Sequence, residues 1–209
     1  MTTALSTSFR PDTLGTLCGL FRARVAATPD QVAYRQFDEA RNSWVSFTWG
    51  QVAAEVLRWQ AALAKEGLAP GDRVAVMLKN SVEWVIFDQA ALGLGLVTVP
   101  LYLDDRPDNA AYILDHADAR LLLVEGKFQH KKLAEIAGSA HSLQRIVSLV
   151  PPENGLADWS TRFAVAADWL AGAAGTTIPE RHLTADLLAS LVYTSGTTGK
   201  PKGVVHSFN

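Results

Sequence analysis

Apolar and polar positions alternate with two different periods along the first third of the chain. Over residues 13–28 the apolar positions recur every three or four residues, which predicts an amphipathic helix. Residues 31–37 and 43–48 instead have the composition of two strands, and the polar residues 38–42 between them suit the turn of a hairpin. Residues 1–12 are polar, and we expect them to be loosely ordered.

A second amphipathic helix is predicted over residues 49–66, directly after the hairpin. Thr48 and Gln51 have the spacing of a capping box, in which each side chain satisfies a free backbone N–H group at the start of the helix. Gly67 is well placed to end the helix, because glycine readily adopts the left-handed conformation found there.

The middle and last parts of the chain alternate short apolar runs with helical patterns. Such nearly continuous apolar strands are typical of a parallel sheet that is covered on both faces. The sequence therefore predicts an α/β protein with a mostly parallel sheet, helices on both faces and an N-terminal hairpin. The predicted strands are 74–78, 96–99, 121–124, 146–150 and 187–193, and the predicted helices are 82–92, 108–116, 128–137 and 165–171.

Composition narrows the class of protein only moderately. The chain has 209 residues, is 48% hydrophobic and carries a net charge of −2, so it can form a sizeable core and shows no excess of basic residues for nucleic acid. Cys18 is the single cysteine, and we interpret it as a buried structural thiol. The longest uncharged run, residues 89–103, is too short to cross a bilayer, which leaves peripheral membrane contact open.

The richest chemical signal begins at the end of the last predicted strand, and we expect a phosphate-binding loop over residues 193–203. Glycines let backbone N–H groups approach an anion closely, hydroxyl groups add donors, and lysine adds positive charge, so this composition suits a phosphate-binding loop. It is not a Walker A loop, because Thr194 stands where that pattern needs glycine, five residues before Gly199. A flexible linker is the alternative, but apolar runs flank the loop on both sides.

These residues resemble the phosphate-binding signature of the adenylate-forming (AMP-binding) enzymes. The run reads Thr194-Ser195-Gly196-Thr197-Thr198-Gly199-Lys200-Pro201-Lys202-Gly203. Upstream, residues 47–49 and 68–75 resemble the usual entry to the first parallel strands of that family, and residues 99–102 and 112–116 resemble its long-chain fatty acyl-CoA synthetase branch. Residues 104–106, Asp-Asp-Arg, depart from the residues that often stand between the last two blocks.

The resemblance implies a fold, a reaction and a set of ligands. Residues 1–209 would be the N-terminal part of the AMP-binding large domain, without its C-terminal domain. The parent enzyme would activate a long-chain fatty acid with ATP, release pyrophosphate and pass the acyl group to CoA, with Mg²⁺ as cofactor. The sections that hold adenine, ribose and most of the acyl chain have no counterpart here, so we expect the 209-residue chain alone to be inactive.

The same resemblance assigns phosphate contacts but no catalytic residue within the chain. Lys202 corresponds to the lysine of the motif, and Thr194 is also implied as a contact for Mg²⁺. The residues assigned to the β- and γ-phosphates are Thr194, Ser195, Gly196, Thr197, Thr198 and Gly199.

Other polar residues have simpler interpretations. We expect Lys200 to be a solvated charge, His206 to be a packed or hydrogen-bonded residue of a strand, and His116 to lie at a helix end. Asp115 and Asp118 are interpreted as a cap or a solvated face, not as a metal site.

Two alternatives to a long-chain ligase stay open. One is a non-catalytic phosphate-binding or interaction module that keeps only the N-terminal fold, and the other is an enzyme that adenylates a different carboxylic acid. The ligase interpretation implies ATP, a fatty acid and CoA as small-molecule partners. The charge balance indicates no nucleic-acid partner, and the single cysteine fits a reducing compartment, so we expect a cytoplasmic protein. The sequence does not indicate the acyl chain length or the oligomeric state.

Overall fold

A computed structural model of the protein describes residues 14–136, 139–152, 159, 161–194 and 199–208. The expected loose start at residues 1–12 lies outside this part of the chain. In chain order the elements are α1 (Leu17–Ala27), β1 (Val32–Asp38), β2 (Ser43–Thr48), α2 (Trp49–Lys65), β3 (Arg73–Met77), α3 (Val82–Gly93), β4 (Val97–Pro100), α4 (Pro107–His116), β5 (Ala119–Val124), α5 (Lys127–Glu135), β6 (Arg145–Ser148), β7 (Phe163–Val165), α6 (Ala166–Ala171), β8 (Leu188–Thr194) and β9 (Lys202–Ser207).

The described strands form a two-stranded hairpin and a seven-stranded sheet. Strands β1 and β2 pair antiparallel, as the sequence predicts. The larger sheet has the order β7-β6-β5-β3-β4-β8-β9. Its neighbouring strands are parallel except for the last pair, in which β9 runs antiparallel to β8. The predicted α/β class with a mostly parallel sheet is therefore confirmed.

Two apolar clusters show that helices cover both faces of this sheet. Successive side chains of a strand point to opposite faces, and β3 divides its residues accordingly: Val74 and Val76 belong to one cluster, and Ala75 and Met77 belong to the other. The first cluster also contains residues of α2, α3 and α6, and the second contains residues of α4 and α5.

Specific hydrogen bonds fix where two helices begin. At α2, the Thr48 hydroxyl accepts a bond from the Gln51 N–H at 3.2 Å, and the Gln51 side chain accepts one from the Thr48 N–H at 2.8 Å, which confirms the capping box. At α3, the Ser81 hydroxyl caps the helix, and the side chain of Gln36 accepts a bond from the Val82 N–H at 2.7 Å. The second bond attaches the hairpin to the start of α3.

The end of α2 is tied to two other elements through one carboxylate. Glu66 accepts hydrogen bonds from Nε of Arg145 at 3.0 Å and from Nε1 of Trp169 at 2.7 Å. Gly67 follows with φ of +72°, which is the left-handed conformation expected at the end of a helix. Helix α2 is thereby joined to strand β6 and helix α6.

Within the part of the chain that the structure describes, no helix has the length and apolar character needed to cross a membrane.

Candidate functional site

The predicted phosphate-binding loop connects β8 to β9 at the carboxyl edge of the parallel strands. Strand β8 runs parallel to β4 and ends at Thr194, and β9 returns from Lys202. Thr194 and Lys202 are direct partners in the antiparallel ladder, so their side chains lie on the same face of the sheet. Both residues are exposed. The fold thus brings together the first and last residues to which the sequence assigns a phosphate contact.

The central residues of the loop fall in the interval that the structure does not describe, namely Ser195, Gly196, Thr197 and Thr198. Gly199, which follows them, has φ of +96°, a conformation that side chains disfavour. The space around the position of a Cβ atom at Gly199 is open. The conformation of the backbone therefore explains a glycine at this position, and the assignment of Gly199 to phosphate stays a prediction.

Tyr193, the first residue of the predicted loop, belongs to β8, is buried and packs against a glycine of the motif. It is 3% exposed, belongs to the apolar cluster that contains α4, and is the ladder partner of Gly203. A Cβ atom at position 203 would lie 3.2 Å from Cζ of Tyr193. Gly203 consequently has a packing role at this site that the sequence pattern did not indicate.

The hydroxyl group of Tyr193 forms a hydrogen bond with the last residue of α4. Its oxygen lies 2.7 Å from Nδ1 of His116, and the two rings meet edge to face with their centroids 5.8 Å apart. Burial, with a smaller contribution from Tyr112, raises the pKa of the Tyr193 hydroxyl, so the phenol stays protonated and can donate this bond. The position of His116 at a helix end agrees with the sequence, but its partner was not predicted.

Lys200 contacts the same helix one turn earlier. Its Nζ atom lies 5.1 Å from the centre of the Tyr112 ring, which is within the range of a cation–π interaction. The Tyr112 ring in turn lies 5.2 Å from the His116 ring at an interplanar angle of 31°. Lys200 is exposed, as predicted, but it is held against an aromatic ring and is not merely solvated.

The two aspartates near the end of α4 have structural partners. Asp115 accepts a hydrogen bond from the Ser142 hydroxyl at 3.3 Å. Asp118 forms ion pairs with Arg73 at 2.8 Å and Arg120 at 3.0 Å. No group of three or more metal-ligating side chains occurs among the described residues. The aspartates therefore connect α4 and the start of β5 to their neighbours.

His206 corrects one of the sequence expectations. It lies in strand β9, as predicted, but its side chain is exposed on the last described strand of the sheet. The packed alternative is therefore wrong, and the hydrogen-bonded alternative stays a prediction.

Two titratable groups with raised pKa values lie away from the loop, namely the buried Cys18 of α1 and the partly buried Asp88 of α3. Burial raises the pKa of the Cys18 thiol to about 11, so Cys18 stays protonated, in keeping with a structural thiol. Burial also raises the pKa of the Asp88 carboxyl to about 6, and a hydrogen bond from the Thr98 side chain partly offsets this.

The carboxyl edge of the sheet also contains two open crevices beside β3 and β5. Both are lined by Lys79 and Glu125, whose Nζ and Oε1 atoms are 3.8 Å apart. Neither crevice is lined by Thr194 or Lys202. The candidate site is therefore defined by the ends of the loop and their contacts, and not by the size of a cavity.

Comparison with known proteins supports the resemblance seen in the sequence. The sequence profile of the AMP-binding enzyme family matches residues 21–209, which is most of the chain and includes the whole loop. A solved structure with a similar fold is the inhibitor-bound N-terminal domain of FACL13 from Mycobacterium tuberculosis. It superimposes with a TM-score of 0.75 at 26% identity, over 93% of this chain and 44% of that one.

Two curated relatives have similar sequences but names that refer to different acids. A long-chain-fatty-acid–CoA ligase, FadD15 of Mycobacterium bovis, is 30% identical over 84% of this chain. A 3-hydroxybenzoate–CoA ligase of Aromatoleum is 34% identical over 78% of this chain. The chain spans 28% of the length of the first relative and 29% of the second.

Proposed function

Because the chain belongs to the AMP-binding enzyme family, we propose that it is the N-terminal part of the large domain of an acyl-CoA ligase. The ligase joins a carboxylic acid to AMP at the expense of ATP, releases pyrophosphate and transfers the acyl group to CoA. In this proposal residues 1–209 bind the triphosphate of ATP, and the rest of the reaction depends on sequence outside this chain.

The observation that carries the proposal is the position of the loop. A loop rich in glycine, hydroxyl groups and lysine follows β8 at the carboxyl edge of a parallel sheet, which is where open α/β sheets bind ligands. Thr194 and Lys202 lie opposite one another at its two ends and are exposed. A triphosphate that entered between them would meet a hydroxyl donor on one side and a positive charge on the other.

In the proposed reaction these residues position the triphosphate and neutralise its negative charge. When the acid attacks the α-phosphate, negative charge builds up on the departing pyrophosphate, and donors aimed at it lower the barrier. We assign hydroxyl and backbone N–H groups of the loop to the β- and γ-phosphates and the Lys202 ammonium to the same charge. No nucleophilic side chain is needed from this chain.

The residues present are compatible with Mg²⁺ without forming a metal cage. The exposed Thr194 hydroxyl is an oxygen donor of the kind that Mg²⁺ accepts beside substrate phosphates. When bound, Mg²⁺ neutralises charge on the phosphate oxygens. The described residues contain no cluster of carboxylates or histidines for a metal, which fits an ion held mainly by the nucleotide.

We propose a long-chain fatty acid as the acid, with an aromatic acid as the second candidate. The long-chain proposal is supported by the name of FadD15, which is 30% identical to this chain. The aromatic candidate is supported by the 3-hydroxybenzoate–CoA ligase, which is 34% identical. A non-catalytic phosphate-binding module remains the alternative from another class.

Pyrophosphate release by the complete polypeptide tests the proposal. We expect release that requires ATP, Mg²⁺ and a fatty acid. We expect Lys202→Ala to slow this release about 100-fold, because the positive charge that stabilises the departing pyrophosphate is removed. Lys131→Ala, at an exposed lysine of α5, is the matched control and should leave the rate unchanged. Release with aryl acids alone would favour the second candidate, and no acid-dependent release at all would favour the module.

A further inference from the structure

Both ends of the predicted phosphate-binding loop contact the same helix, α4, at residues one turn apart. At the first end, Nδ1 of His116 is hydrogen-bonded to the hydroxyl of Tyr193. Near the other end, the ammonium of Lys200 lies over the ring of Tyr112. Residues four apart lie on the same face of a helix. Helix α4 therefore presents one surface to both ends of the loop, although 77 residues separate His116 from Tyr193 in sequence.

The contact at the first end is well defined. Tyr193 is 3% exposed, and its hydroxyl lies 2.7 Å from Nδ1 of His116. Because the Tyr193 ring lies across Gly203 of the returning strand, it is fixed between β9 and α4. Side chains alternate between the two faces of a strand, so fixing the Tyr193 ring also fixes the direction in which Thr194 points.

The contact at the second end completes the arrangement. Lys200 lies over the Tyr112 ring, and the centre of the Tyr112 ring lies 5.2 Å from that of the His116 ring in a tilted arrangement. The four side chains Tyr112, His116, Tyr193 and Lys200 form a continuous group, which we call the α4 clamp.

We propose that the α4 clamp sets the spacing between the two ends of the loop and so positions Thr194 and Lys202 for the triphosphate. Tyr112 and His116 are then positioning residues that act through Tyr193 and Lys200 without touching the nucleotide. This inference rests on the proposed function, because it assumes that the loop binds phosphate. Its physical basis is preorganisation, since ends that are fixed before binding lose less conformational entropy when the ligand is bound.

Phosphate binding by the 209-residue chain tests the clamp directly. The probe is inorganic tripolyphosphate with Mg²⁺, and the dissociation constant is measured by NMR titration of the ¹⁵N-labelled chain. We expect Tyr193→Phe and His116→Ala each to weaken binding about fivefold, which corresponds to one net hydrogen bond. The double variant should bind about as weakly as His116→Ala alone, because that substitution already removes the hydrogen bond of Tyr193.

Two further variants separate positioning from general stability. His116→Asn places an amide group near the position of Nδ1, and we expect it to restore most of the affinity. Tyr34→Phe removes the same hydroxyl group from a tyrosine of β1 that packs with the opposite apolar cluster, and we expect it to bind like the wild type. In the complete polypeptide, Tyr193→Phe should raise KM for ATP about fivefold and leave KM for the acid unchanged.

The outcomes of these experiments distinguish failure of the α4 clamp from failure of the proposed function. Saturable binding by the wild type with unchanged affinity in Tyr193→Phe and His116→Ala overturns the clamp and leaves the proposed function intact. Additive losses in the double variant, or equal rises in KM for ATP and acid, also overturn it. No saturable binding by the wild type contradicts the assignment of phosphate to the loop, and with it both proposals.

Discussion

Gly203 lies directly opposite Tyr193, and its lack of a side chain allows the tyrosine ring to cross the returning strand. A Cβ atom there would be 3.2 Å from Cζ of Tyr193, which is closer than ordinary van der Waals contact. We predict that Gly203→Ala lowers the free energy of unfolding by about 1–2 kcal/mol, because the buried ring must shift in a packed cluster.

Urea denaturation of the 209-residue chain measures this effect. Val204→Ala, at the next and partly exposed residue of β9, is the control, and it should change stability by less than about 0.5 kcal/mol. Equal stability of Gly203→Ala and the wild type would show that the ring does not depend on the glycine.

At the scale of single residues, the sequence indicated the chemistry of the loop but not what supports it. Thr194, Gly199 and Lys202 could be chosen because their types and spacing match a phosphate-binding signature. The bond between His116 and Tyr193 could not be predicted, because 77 residues separate the two and only the packing of α4 beside β8 brings them together. For the same reason the sequence alone predicts a solvated charge at Lys200 and not its contact with Tyr112.

At the scale of elements, the start of α2 offers a clean test of local stability. Thr48 and Gln51 exchange side-chain and backbone hydrogen bonds in a capping box. We predict that Thr48→Ala lowers the free energy of unfolding by about 1 kcal/mol, because the Gln51 N–H loses its partner.

Thr48→Ser keeps the hydroxyl group and serves as the matched control, and chemical denaturation compares the three proteins. A loss in the serine variant as large as that in the alanine variant would mean that packing of the threonine methyl group, and not the cap, is responsible.

The sequence predicts helix α4, which has a strong apolar periodicity, but it does not predict strand β7, which has three residues. The predicted helix 108–116 and the observed α4 (Pro107–His116) differ by one residue, because proline marks the start and apolar spacing marks the face. Strand β7 (Phe163–Val165) was not predicted, since three partly buried residues give no measurable period and pair only because β6 lies beside them.

At the scale of the whole molecule, the partly buried Asp88 carboxyl makes stability depend on pH. Its pKa is raised from 3.8 to about 6, so between these values the folded chain keeps a proton that the unfolded chain has lost. Its contribution to the free energy of unfolding therefore falls as pH rises through this window, and the destabilisation is complete above about pH 6.

The prediction concerns the difference between Asp88→Asn and the wild type. We expect the variant to gain about 2 kcal/mol relative to the wild type between about pH 4 and pH 7, because asparagine does not ionise. Denaturation curves across this range measure the gain. Asp104→Asn, at an exposed carboxylate, should give a much flatter difference, and an equally flat curve for Asp88→Asn would contradict the burial of its charge.

Among the described strands, β8 and β9 join the rest of the seven-stranded sheet along one side, where β8 runs beside β4. Strands that are paired on one side open more readily than strands in the centre of a sheet. The backbone amides of β9 in the 209-residue chain should therefore exchange with deuterium sooner than those of β3, which is paired on both sides, under conditions where the circular dichroism spectrum is unchanged.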